Sequence, residues 1–94
     1  MKKYSIMVEG KNILIKRDHI ERMGFLTTRW ISAPNIQEAK RIAIEHVKKE
    51  LDSLDILLNT LDDIPLFSVE EIREVNSFGD NLVPGSGFTF YEEE

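Results

Sequence analysis

The chain has 94 residues, no cysteine, 41% hydrophobic and 31% charged residues, and a formal net charge of −5. This length and mixture suit one globular core and exclude disordered, collagen-like and membrane-spanning compositions, since the richest apolar run, Ile56-Leu57-Leu58, is broken by Asp55 and Asn59. Without cysteine there is no disulfide framework, no thiolate nucleophile and no zinc site of the cysteine type.

We therefore expect a single domain over residues 1–94, cytoplasmic, with a disordered tail at 92–94 and no membrane partner. Met1-Lys2-Lys3 imitates the basic start of an export signal, but Glu9 and Lys11 cut off the apolar region that must follow. The charge is unevenly spread. Residues 1–49 hold eleven Lys or Arg against five Asp or Glu, and residues 50–94 hold one against twelve. A basic half suits an anionic partner. In a chain this short, however, the halves must touch, so we expect them to neutralise each other and expect no nucleic-acid binding.

In chain order, Tyr4, Ile6 and Val8 alternate with polar positions and Met7, the period of a strand buried on one side. Glu9-Gly10-Lys11-Asn12 reads as a hairpin turn, because Gly10 and Asn12 accept positive φ, and Ile13-Leu14-Ile15 as a second strand. The polar stretch 16–23 reads as a loop. Residues 24–33, dense in aromatic and β-branched side chains, read as a third strand.

Asn35 stands three residues before Glu38, the spacing of a capping box, and opens a helix over about 35–51. Its apolar stripe is Ile36, Ala39, Ala43, Val47 and Leu51, with Ile42 beside it. A break near Asp52-Ser53 predicts a short second helix that ends before Pro65. Residues 66–75 predict a strand with a bulge at Glu70-Glu71, because Phe67 and Val69 alternate but Ile72 falls out of step, with a short helix capped by Ser68 and Glu71 as the alternative, since Val69, Ile72 and Val75 are spaced by three. Residues 76–87 are loop, and Phe88-Thr89-Phe90-Tyr91 reads as a last short strand. The fold class is α+β: an antiparallel sheet of three to five strands with one main helix on one face and a short second helix, in the order β-β-β-α-(α)-β-(β). The acidic segment 66–75 is expected beside the basic strands, with Glu71 or Glu74 opposite Arg29 or Lys16.

No residue is assigned a catalytic or metal-binding role, and no cofactor is expected. Pro84-Gly85-Ser86-Gly87 has the glycines of a phosphate loop, but it has no Lys and leads into an extended segment, so it reads as a turn. His19 and His46 titrate nearest neutrality, yet neither has a partner set in sequence beyond His46 with Glu50. Strand 24–33 is the candidate site. Phe25, Thr27, Arg29 and Ile31 share one of its faces, Leu26, Thr28, Trp30 and Ser32 the other, and both mix apolar bulk with polar groups. The second face then has three candidate covers: Phe88, Phe90 and Tyr91; a second copy of the chain; or a ligand held by Arg29 and Thr28 against Trp30.

The text Ile31-Ser32-Ala33-Pro34-Asn35-Ile36-Gln37-Glu38-Ala39, after preceding strands, resembles the partly RNase H-like antitoxin domains of the HicB type. The likeness is one of architecture over about residues 1–50. It implies strands feeding a capped helix, and a protein partner. Gly24-Phe25-Leu26-Thr27-Thr28-Arg29 with Gly87-Phe88-Thr89-Phe90-Tyr91 looks like a small bacterial protein family with no assigned activity, which implies no chemistry. The leading expectation is a noncatalytic binding or assembly module that forms a homodimer. The alternatives are a HicB-like antitoxin-type partner protein, and a small-molecule enzyme that uses carboxylates and a histidine.

Overall fold

Two long strands dominate the structure, a computed structural model that describes residues 1–93. β1 (Lys2–Lys16) and β2 (Ile20–Ala33) form one antiparallel hairpin, followed by α1 (Ile36–Ser53), β3 (Leu66–Val75) and β4 (Thr89–Glu92). The sheet order is β3-β1-β2-β4, every neighbouring pair antiparallel. The fold is α+β, as expected, with four strands and one helix among the described residues.

The turn expected at Glu9–Asn12 is a bulge inside β1. Gly10 pairs with Phe25 and Ile13 with Met23, so β1 advances three residues while β2 advances two. The extra residue resets the alternation. Tyr4, Ile6 and Val8 before it and Ile13 and Ile15 after it all reach the core. Asn12 takes the positive φ there, at 58°, and Gly10 does not. Glycine is needed at position 10 for space: a Cβ there would lie 2.2 Å from the Phe25 ring. The true reversal is Arg17-Asp18-His19, where the Arg17 amide donates to the His19 carbonyl. The loop expected over 16–23 therefore shrinks to those three residues. This turn has no glycine to announce it.

Asn35 caps α1 as expected, its side-chain oxygen accepting from the Glu38 amide at 2.9 Å. Ala39, Ala43, Val47 and Leu51 are buried against the sheet, whereas Ile36, in the first turn, is exposed. The second helix does not form. After Ser53 the chain turns through Asp55, at φ 55°, and runs along the edge of β1 that β3 leaves unpaired. The Lys16 amide donates to Ile56, the Leu58 amide donates to Leu14, and Ile15 bridges Leu57. Asn59 secures this segment by accepting from the Leu14 amide and donating to the Asn12 and Asp63 carbonyls. A local cap loses here because an edge of unpaired backbone groups in β1 offers more hydrogen bonds than one short helical turn.

β3 carries the expected bulge. Val69 faces Val8 and Glu71 faces Met7, leaving Glu70 as the extra residue, so Phe67, Val69 and Ile72 all pack on the core. The acidic strand does lie beside a basic one, but Glu74 faces Tyr4 and Glu71 faces Met7 rather than Arg29 or Lys16. The nearest cation to Glu74 is Lys2, at 3.9 Å with both side chains exposed, a pair of little energetic weight. Glu92 closes β4, and the end of the expected tail, Glu94, lies outside the described residues. No helix of the described residues is long and apolar enough to cross a membrane.

Candidate functional site

Strand alternation divides Thr28, Arg29 and Trp30 between the two faces of β2. Arg29 points to the helix side with Phe25, Thr27, Ile31 and Ala33, and has no exposed surface. A buried guanidinium needs a carboxylate and further acceptors. Glu50, on the last turns of α1, supplies the carboxylate: Arg29 Nη1 donates to its Oε1 at 2.7 Å. The remaining acceptors come from the glycine loop, with Nη1 donating to the Gly85 carbonyl at 2.8 Å and Nη2 to the Gly87 carbonyl at 3.0 Å. The Gly87 amide donates back to Glu50 Oε2 at 2.8 Å, and the Thr27 hydroxyl donates to the Gly87 carbonyl at 2.8 Å. The guanidinium also stands 5.4 Å from the centroid of the Phe88 ring, a cation–π distance.

This cluster is a latch that ties the loop before β4 to the core. Gly85 and Gly87 both hold positive φ, at 98° and 85°, which aims their carbonyls at Arg29 without the steric penalty a side chain would incur. Burial pushes the Glu50 carboxyl up, but the Gly87 amide and Arg29 outweigh it and hold the group below its ordinary value. His46 lies one helical turn before Glu50. Burial, and then the charge of Arg29, push its imidazole below the usual histidine value, with Glu50 opposing. Arg29 Nε and His46 Nδ1 are buried without hydrogen-bond partners.

The expected ligand clamp of Arg29 and Thr28 against Trp30 therefore does not assemble, because Arg29 is on the other side of the sheet. Phe88 and Phe90 are also not the cover of the Trp30 face. They pack edge-on against Phe25 on the helix side, at ring distances of 4.8 and 6.0 Å. What remains on the helix-free face is a groove of about 330 Å³ lined by Ser5, Met7, Thr28, Trp30, Arg73 and Val75 among others. Trp30 is half-buried there. Its amide donates to the Pro84 carbonyl at 2.9 Å, and its ring packs against Gly85, where a Cβ would come within 3.2 Å. The latch on one face thus fixes the loop that packs against Trp30 on the other.

A second concavity, about 760 Å³, lies at the opposite end of the same face between Leu26, Leu66 and Tyr91. Sequence reasoning missed both Glu50 and this end. The signal for Glu50 was available: an arginine on the apolar face of a central strand requires a carboxylate from whatever covers that face. Among the described residues, no group of three or more His, Asp or Glu is placed to hold a metal ion. No family model, curated protein or solved structure significantly matches this chain.

Proposed function

We propose that the chain is a noncatalytic assembly module that pairs with a second copy of itself through the helix-free face of its sheet, at the groove around Trp30. The observation that carries this reading is the groove itself. Met7, Thr28, Trp30 and Val75, drawn from three strands, line a hollow that α1 leaves uncovered. A half-buried tryptophan in a concave patch is the kind of side chain that anchors protein contacts. The rim is self-complementary, since Arg73 and Glu71 sit 3.4 Å apart with both side chains exposed. A twofold axis passing between them would set each charge against its opposite in the other copy.

Light scattering on a sizing column tests the reading. The wild type is expected to elute as a dimer and Trp30→Glu as a folded monomer, with circular dichroism checking the fold. Wild-type protein that is monomeric at about 100 µM, where any contact tighter than that would be at least half formed, overturns it.

A further inference from the structure

The groove at the Tyr91 end of the sheet sets apolar and acidic side chains side by side. Leu26 on β2 and Leu66 on β3 flank Glu9 and Lys11 on the strand between them, β1, while the Tyr91 ring, Glu92 and Glu93 close the β4 side, with Lys11 the one cation of the described lining. The arrangement is held in place. A Cβ on Gly24 would lie 2.3 Å from the Tyr91 ring, so glycine lets the ring lie across β2, where its hydroxyl donates to Glu9 Oε2 at 2.6 Å. Glu93 accepts from the Asn12 amide in the β1 bulge. Lys11 stays 3.6 Å from Glu9, leaving the lining with two negative charges in excess.

From this geometry we propose that the groove is a docking site for an extended, basic segment of a partner protein, in which apolar side chains alternate with lysine or arginine. Leu26 and Leu66 take apolar side chains of an extended chain, and the carboxylates beside and between them take the basic heads whose aliphatic stems lie along leucine. The other candidates fit poorly. A second copy that offers the same end would set carboxylate against carboxylate, and a nucleic acid would bring phosphates to an acidic lining. The hydrogen bond from Tyr91 keeps Glu9 below its usual carboxylate value, and the phenol is in turn pushed up to about 12, so the hydroxyl remains a donor across physiological pH. The site is separate from the Trp30 groove and does not depend on self-association.

Fluorescence anisotropy with a labelled peptide of alternating lysine and leucine tests the proposal at low salt. The peptide is expected to bind, with versions carrying serine for leucine or glutamate for lysine each weaker by about tenfold or more. Leu66→Ser and Glu92→Gln, both at exposed positions, are expected to weaken binding about threefold each, and Trp30→Glu to leave it unchanged. No binding, equal binding of the serine peptide, or indifference to both groove substitutions overturns it. A loss confined to Trp30→Glu does so too, by moving the site to the other groove.

Discussion

Arg29 and Glu50 meet at 2.7 Å between β2 and the end of α1, the arginine without exposed surface and the carboxylate partly open to solvent. Neither partner is neutralised by its own element. Arg29 sits on a face otherwise made of Met23, Phe25, Thr27, Ile31 and Ala33, and Glu50 continues a helix whose buried residues are Ala39, Ala43, Val47 and Leu51. Their pairing ties the glycine loop to the core, because Gly85 and Gly87 both accept from Arg29 and the Gly87 amide donates to Glu50.

Removing one member of this pair is therefore expected to cost more than removing both. Glu50→Met leaves a buried guanidinium without its counter-charge, a change worth about 3 kcal/mol or more. The double variant Arg29→Met with Glu50→Met removes both charges, and its loss is expected to be smaller than that of either Arg29→Met or Glu50→Met alone. Urea denaturation of the four proteins checks this. Strictly additive losses would show that the two residues do not act as a unit.

The position of His46 beside Arg29 gives stability a dependence on pH. The folded state holds the imidazole below its ordinary value of 6.5, mainly by burial and then by the charge of Arg29, with Lys49 adding to and Glu50 opposing the effect. The unfolded chain therefore takes up the proton first. The contribution of His46 is complete above pH 6.5 and declines as pH falls below it, levelling off once the folded state is protonated as well. Glu50, held below 4.5, adds a second and more acidic loss. Thermal melts across this range are expected to show the first decline in the wild type and its flattening in His46→Gln. An unchanged slope in that variant would falsify the assignment.

Two glycines in paired strands are expected to respond differently to alanine. At Gly10 the new Cβ meets the Phe25 ring at 2.2 to 2.8 Å, and that ring is enclosed by Phe67, Phe88 and Phe90. It has nowhere to move, so Gly10→Ala should cost about 1–3 kcal/mol or more. At Gly24 the clash is with the outer atoms of Tyr91, a half-buried side chain that can swing outward at the loss of its bond to Glu9. That loss should be smaller than the one at Gly10, because a single hydrogen bond at the surface is given up and no core ring is displaced. Chemical denaturation compares the two, and a Gly24→Ala penalty equal to or above that of Gly10→Ala contradicts the packing account.

The sequence by itself determined the α+β class, the capped helix opened by Asn35, strand β3 with its bulge at Glu70, and the short last strand. Each of these follows from local periods and caps, which depend on residues near one another in the chain. Even the parity switch between Val8 and Ile13 was visible, although a turn and a bulge produce the same switch, and only the pairing with Phe25 and Met23 decides between them. The missing second helix, the partner of Arg29, the faces of Phe88 and Phe90, and the groove beside Tyr91 were decided by tertiary structure. All four depend on groups far apart in sequence: the unpaired edge of β1 that captured residues 56–58, the carboxylate 21 residues from Arg29, and a loop some 56 residues from it. Such choices are made by burial and hydrogen-bond completion, and no local pattern encodes which distant group will supply the missing partner.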